Sequence, residues 1–268
     1  MGAAKPTVQS NYDKVDSYLT RPVGLFDLLY IHRGNVSVEH KLYGGFNMNK
    51  SIIIAGASGL VGRETLSTLL ESNHVDTVYA LSRRELNIKH QKLSQLIDNN
   101  LSVSVSTFDS VLPEVGVIAL GSTIKKAGTK EKLRAIDVDL VVSTAEKMKE
   151  LGVKHLIVVS CLGADTKARS HYLRCKGEME AKVELLDFEK TTFLHPGPLA
   201  GDRAESRTDE KVLQGVLKAL QPLMLGGMKK YIPIQASSIA ESILAHSISS
   251  TSEKVERLDS LAMMKLAS

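Results

Sequence analysis

Long apolar runs are missing from this chain. No stretch of its 268 residues approaches the roughly 18–20 apolar residues that a membrane-spanning helix needs, so no membrane partner is expected. Met1 to Lys14 has no charged region leading into a continuous apolar core, and a secretory signal is not read there. Cysteine is scarce as well. Cys161 and Cys175 are too few for a disulfide framework and lack the spacing of metal ligands, which points to the cytoplasm and to a protein without a metal. A concentrated basic patch is also absent. The 34 Lys and Arg are interspersed with 30 Asp and Glu, the pattern of a mixed solvated surface rather than of a nucleic-acid binder. There is no internal repeat and no low-complexity tract.

Against these absences stands a hydrophobic fraction of 43%, enough for a substantial core in a globular chain. The length suits one large α/β domain. The first 47 residues differ from the rest: Pro6, Pro22, Gly24, Gly44 and Gly45 interrupt them, and no periodicity is sustained. Asp27 to Ile31 there can be read as helical or extended. Residues 1–47 are expected to be a mobile N-terminal extension, with the folded domain starting at Met48 and running to Ser268.

From Ser51 the pattern becomes regular. Ile52-Ile53-Ile54-Ala55 is a short apolar, β-branched run ending at glycine, the signature of a buried parallel strand. A helix is expected from about Val61 to Leu70, a strand over Thr77 to Leu81, a helix over Asn87 to Asn99 and a strand over Leu101 to Phe108. Further strands are expected at Val115 to Leu120, His155 to Ser160 and Thr191 to Leu194, with helices at Asp137 to Leu151 and Tyr172 to Leu186. Short strands alternating with helices of ten or more residues imply right-handed crossovers. The fold class is therefore α/β, a Rossmann-type doubly wound parallel sheet with helices on both faces. Residues 202–230 are expected to form a small substrate-side region: a helix through Lys211 to Leu225 closed by Gly226-Gly227. A late strand would cover Tyr231 to Ile234, and Ser237 or Ser238 would cap the helix after it.

Gly56-Ala57-Ser58-Gly59-Leu60-Val61-Gly62 sits at the first strand–helix junction. Gly56 permits the tight turn, Gly59 a close backbone approach to a pyrophosphate, and Gly62 close packing of helix on sheet. Backbone N–H groups from Ser58 to Val61 would then face phosphates at the positive end of the helix. The second strand ends Ser82-Arg83-Arg84, with no carboxylate at its tip to accept from a ribose 2′-hydroxyl. Two guanidinium forks suit a 2′-phosphate, so NADP(H) is expected over NAD(H).

Tyr172 and Lys176 stand four residues apart, on one face of a helix. A phenol titrates near 10, and a neighbouring cation helps it exchange a proton with a substrate oxygen. Ser160, at a strand end upstream, is the expected third catalytic member, its hydroxyl steadying a carbonyl. Cys175 points to another face, and His171 and His195 have no visible triad partners and are assigned no catalysis.

In this order the motifs resemble an atypical short-chain dehydrogenase/reductase, and more closely the Tat-interactive-protein family of NADPH-binding short-chain proteins. The matching segments include Gly56-Ala57-Ser58-Gly59, Ser82-Arg83-Arg84, Leu120-Gly121-Ser122-Thr123, Lys126-Ala127-Gly128, Gly163-Ala164-Asp165, Lys176-Gly177-Glu178, Pro196-Gly197 and Asp202 to Arg207. The resemblance runs from about Lys50 to Ile248. It implies that Ser58, Gly59, Leu60 and Val61 touch the diphosphate, that Arg83 and Arg84 face the 2′-phosphate, and that Leu120 and Gly121 pass the adenosine ribose. It also implies that Leu199 and Arg207 approach the nicotinamide half, with Tyr172 and Lys176 as the active-site pair. The chain departs from the family at Cys161, where a second serine is frequent, and at His195, where arginine is usual.

The expected function is an NADP(H)-dependent oxidoreductase acting on a small-molecule carbonyl or alcohol, as a monomer or homodimer. Two alternatives stand beside it: a non-catalytic NADPH-binding regulator with a protein partner, and a nucleotide-sugar epimerase or dehydratase.

Overall fold

The computed structural model describes residues 28–32, 35–39, 49–108, 111–200, 232–249 and 253–266. The chain divides into two units, residues 1–47 and 48–268. Within the first, β1 (Leu28–His32) and β2 (Asn35–Glu39) form an antiparallel hairpin, so the extended alternative holds for the described part of Asp27 to Ile31.

The second unit is built on β3 (Lys50–Ala55), β4 (Val75–Ser82), β5 (Leu93–Ile97), β6 (Val115–Ile118), β7 (His155–Val159) and β8 (Lys190–His195), with β11 (Val255–Asp259) last. These seven strands form one sheet in the order β11-β8-β7-β6-β3-β4-β5, every neighbouring pair parallel. This is the Rossmann order. It reverses between β3 and β6, where a crevice opens at the carboxyl ends of the strands. A short parallel pair, β9 (Leu199–Ala200) and β10 (Ile234–Gln235), lies apart from the sheet.

β3 is apolar at successive positions because both of its faces are covered. Ile52 and Ile54 pack with Leu66 and Leu69 of α1 (Leu60–Glu71) and with Ile239 and Ile243 of α6 (Ala236–Ile248). Ile53 and Ala55 pack on the other side with Val141 and Met148 of α4 (Val141–Glu150) and Met179 of α5 (His171–Glu184). Each buried isoleucine stabilises the sheet by about 1.5–3 kcal/mol. Between β6 and α4 the chain makes two short helices, α2 (Ile124–Ala127) and α3 (Lys130–Arg134), then a π-helical turn over Ala135–Leu140. A last helix, α7 (Ser260–Leu266), follows β11.

Two expected elements are corrected. The segment Asn87 to Asn99 holds a strand, β5, rather than a helix. Leu93 packs in one core and Leu96 in the other, which an odd spacing achieves on a strand, and the same spacing imitates a helical period. Gln95 fixes the approach to β5 by hydrogen-bonding the backbone of Leu86 and Ile88. The strand expected at Leu101 to Phe108 is instead a strap ending in a 3-10 turn, Val105–Thr107. Leu101 adopts a φ of 52°, which breaks an extended run, while Leu101 and Val103 still bury. The cap of α6 also differs. Gln235 occupies the N-cap with no side-chain hydrogen bond, and Ser237 and Ser238 fall inside the first turn. The expected substrate-side region 202–230 and Tyr231 lie outside the described residues.

Candidate functional site

The turn from β3 into α1 is shaped by two close backbone approaches. Gly56 has a φ of +96°, and a Cβ there would sit 2.5 Å from the Ala119 carbonyl oxygen; a Cβ on Gly62 would sit 2.1 Å from the Gly56 oxygen. Neither position accepts a side chain. At Gly59, by contrast, a Cβ would meet nothing nearer than 3.4 Å, because that position opens into the crevice. Gly59 is the N-cap of α1, without a side-chain cap and with no acidic residue in the first turn. The first N–H groups of the helix are thus offered to the crevice and not to the protein's own side chains.

The crevice consists of two adjoining pockets that share Ser58 and Leu120. The smaller, about 410 Å³, brings Gly56 and Ser58 together with Arg83, Arg84 and Glu85 beyond β4. The larger, about 1220 Å³, is lined by Gly59, Leu60 and Val61 of the helix start, by Gly121, and by Ser160, Cys161, Tyr172, Lys176 and Leu199. Gly62 lines neither pocket; its part is the packing contact with Gly56. Arg207 lies outside the described residues. Every other expected site residue is on the wall of this one crevice. Arg63, Lys125, Lys126 and Lys176 line the larger pocket, and among the described residues no Asp or Glu does, a balance suited to a polyanion.

At the chemical end, α5 presents Tyr172 and Lys176 one turn apart. Lys176 is 3% exposed, and its Nζ lies 2.9 Å from Asp137 Oδ1 in an ion pair. Asp137, fully buried on the π turn, accepts from the Ser122 backbone N–H at 2.9 Å through its other oxygen. One turn beyond Lys176, the buried Glu180 gathers three donors. They are the Ser160 hydroxyl, His195 Nε2–H at 2.8 Å and Arg257 Nε–H at 3.1 Å; Arg257 also pairs with Glu184. Burial pushes the Glu180 carboxyl up, but His195, through both hydrogen bond and charge, and the Ser160 and Arg257 hydrogen bonds outweigh it and hold the group below its ordinary value.

This geometry revises the expected role of Ser160. Its hydroxyl proton is committed to Glu180. Cys161 is the side chain in hydrogen-bond contact with Tyr172. Burial raises the Cys161 thiol to about 11, against opposing contributions from the Lys176 charge and the Tyr172 hydrogen bond, so it stands there as a neutral thiol. His195, read from sequence as having no triad partner, is a partner of Glu180.

Sequence reasoning missed Asp137, Glu180 and Arg257. Asp137 carried a signal, a carboxylate four residues before Val141 on a helix face otherwise read as apolar. Glu180 carried another, continuing the Tyr172–Lys176 face by one more turn. Nothing local marks Arg257.

Comparison with known proteins agrees with this geometry. Residues 56–219 match the family model described as NAD(P)H-binding. The protein HTATIP2 of Rattus norvegicus is 33% identical over 232 residues, spanning 84% of this chain and 93% of that protein. The mitochondrial protein fmp52 of Emericella nidulans is 33% identical over 176 residues, 63% of this chain and 76% of its own. Among solved structures, MoeE5 in complex with UDP-glucose and NAD shares the fold with a TM-score of 0.56 at 14% identity, covering 80% of each chain. Glycine turn, uncapped helix start and cationic walls all fit a pyridine dinucleotide, and among the described residues no helix is long and apolar enough to cross a membrane. The chain belongs to the NAD(P)H-binding family of atypical short-chain dehydrogenase/reductase proteins, the family of the Tat-interactive protein HTATIP2.

Proposed function

We propose that the protein is an NADPH-dependent oxidoreductase that reduces a small carbonyl compound to the alcohol. One observation carries this reading: a phenol and an ammonium one helical turn apart share a continuous crevice with an uncapped, glycine-lined helix start. A bound dihydronicotinamide supplies the hydride. Tyr172 supplies the proton: as the C=O π bond opens, the carbon gains hydride, the oxygen gains the phenolic proton, and solvent then reprotonates the tyrosinate. Lys176 holds the ribose beside the nicotinamide with the N–H bonds that Asp137 leaves over. Ser58, Gly59, Leu60 and Val61 bind the diphosphate, Leu120 and Gly121 flank the adenosine ribose, and Leu199 closes the nicotinamide side.

The preference for NADPH rests on Arg83 and Arg84, which line the smaller pocket at the tip of β4, where Glu85 is the one carboxylate among the described lining residues. Ser160 acts through Glu180, and Cys161 is the group beside Tyr172 that meets the substrate. The two free, buried cysteines suit a reducing compartment, the cytoplasm among them. A regulatory reading, in which NADPH occupancy is reported to a protein partner, draws on the likeness to HTATIP2. The complete Tyr172–Lys176 arrangement argues for turnover, since a sensor has no chemical use for it. An epimerase reading rests on fold likeness alone.

The deciding experiment titrates the protein with NADPH and NADH by fluorescence, then screens aldehydes, ketones and quinones for NADPH oxidation. Tight NADPH binding and a substrate whose turnover is lost in Tyr172→Phe support the reading. Tight binding with no turnover on any of them gives the protein to the regulatory alternative.

A further inference from the structure

Lys176 and Asp137 form an ion pair of unusual enclosure for an exposed crevice. The ammonium is 3% exposed, the carboxylate 0%, and their closest atoms are 2.9 Å apart. Three backbone features converge to make the enclosure. The π turn over Ala135–Leu140 carries Asp137, and such turns interrupt α-helices chiefly where a side chain must be aimed. The Ser122 N–H fixes the second carboxylate oxygen at 2.9 Å. Gly121 packs closely against the pair: a Cβ there would lie 3.2 Å from Asp137 Oδ1 and 3.3 Å from Lys176 Nζ, so a side chain would require the pair to give way by a few tenths of an ångström. Two separate segments of chain, 121–122 and 135–140, thus close around one pair of charges, on the wall of the crevice that also holds Tyr172.

We infer that Asp137 is a positioning residue for the Tyr172–Lys176 pair, fixing the ammonium and weakening its pull on the phenol, so that the site is set to deliver a proton rather than to take one. The inference rests on the reading of that pair as the proton-transfer machinery. An isolated ammonium beside a phenol favours phenolate, the form that accepts a proton during alcohol oxidation. An ammonium held against a carboxylate in a dry site has much of its field cancelled, and the phenol stays protonated, the form that carbonyl reduction requires. The opposition of the two charges is felt at Cys161, where Lys176 draws the thiol down and Asp137 pushes it up.

The remaining charged groups around the phenol do not replace this control. Glu180, on the next turn of α5, is occupied by Ser160, His195 and Arg257. Cys161 is a neutral thiol on the end of β7. Arg63 of α1 and Lys125 and Lys126 of α2 line the same pocket, among the groups that would meet cofactor phosphates. His171 and Arg174 on α5 bond to the carbonyls of Lys130 and Ala168.

The test is Asp137→Asn, which keeps the shape of the side chain and one acceptor oxygen while removing the charge. NADPH binding should be retained. The basic limb of the kcat profile for carbonyl reduction should move about one pH unit toward acid, with alcohol oxidation at neutral pH rising by a similar factor, about tenfold. A folded, NADPH-binding variant whose profile is unmoved overturns the inference, because a purely structural ion pair would lower stability without touching the limb. Should the variant not fold, the wild-type chain still decides: a tyrosinate difference titration against Tyr172→Phe, with NADPH bound, should place the ionisation of Tyr172 no lower than the ordinary tyrosine value of about 10. Ionisation well below that overturns the inference. The titration does not depend on turnover, so a wild-type protein that reduces nothing would defeat the oxidoreductase reading and leave this one to be judged separately.

Discussion

The two ends of the crevice are made of different material. At the cofactor end the work is done by backbone: an uncapped helix start and a turn with no room for side chains, with two arginines on the rim. At the chemical end it is done by buried side chains that satisfy one another, Lys176 with Asp137, and Ser160, His195 and Arg257 with Glu180. Backbone recognition needs only local spacing, while a buried side-chain network must be complete, because a charge left unpaired in a dry site costs several kcal/mol. Damage at the two ends should accordingly look different. Loss at the cofactor end should appear as affinity, and loss at the chemical end as rate or as stability.

The largest effect is expected from Tyr172→Phe. Removing the hydroxyl proposed to protonate the substrate oxygen should lower kcat for carbonyl reduction by roughly 10²–10⁴. NADPH affinity, measured by fluorescence titration, should stay within a few-fold. A comparable loss of affinity would erase the distinction between the ends, since it would make the phenol part of the binding surface. Next comes Arg83→Ala. Losing a charge-assisted contact to the 2′-phosphate should weaken NADPH by about 1.5–3 kcal/mol, roughly ten- to a hundredfold, and leave NADH nearly unchanged. Equal losses for both nucleotides would remove the phosphate from that pocket.

The same difference of material explains what could be read in the sequence. Gly56, Gly59 and Gly62 announce the cofactor end because one strand, one turn and one helix contain the whole device. Tyr172 and Lys176 are legible for a similar reason, one helix turn setting their distance. The supporting groups are not, because Asp137 reaches Lys176, and Arg257 reaches Glu180, only once the sheet has formed. Ser160 shows the cost of working without them: a strand-end serine upstream of the tyrosine has the right address, but its neighbour Cys161 turns toward the phenol. In the fold, the buried parallel strands were legible from their apolar runs. Asn87 to Phe108 was not, because an edge strand and a strap each bury only a few residues, and so few positions do not distinguish periods of 2 and 3.6.

The opposite edge of the sheet provides a control on both ends. His155, at the start of β7, is buried and hydrogen-bonded to Thr192 at 2.9 Å. Burial, aided by the charges of Lys190 and His246, depresses it from 6.5 to about 3. The folded protein therefore keeps His155 neutral over a range in which the unfolded chain takes up a proton. Its contribution is complete above pH 6.5 and is lost as the pH falls toward 3, with a slope approaching about 1.4 kcal/mol per pH unit. His155→Gln should flatten this part of the stability–pH curve in denaturant titrations while leaving kcat and NADPH affinity alone. An unchanged slope would mean that His155 is solvated, and a changed kcat would mean that the crevice is coupled to the far edge.

The smallest effect divides the chemical end itself. Ser160 and Cys161 are adjacent, and only one of them can be the group that meets the substrate oxygen beside Tyr172. With its proton given to Glu180, Ser160 belongs to the supporting network, and Ser160→Ala should lower stability by about 1 kcal/mol, the net worth of one buried hydrogen bond. The same variant should change kcat by less than about tenfold, well short of the loss from removing a proton-transfer group. Thermal unfolding and steady-state rates on one preparation separate the outcomes. A fall in kcat on the scale of Tyr172→Phe, with stability preserved, would put the serine hydroxyl on the substrate. It would also mean that Ser160 turns away from Glu180 when the crevice is filled, leaving His195 and Arg257 to hold that carboxylate alone.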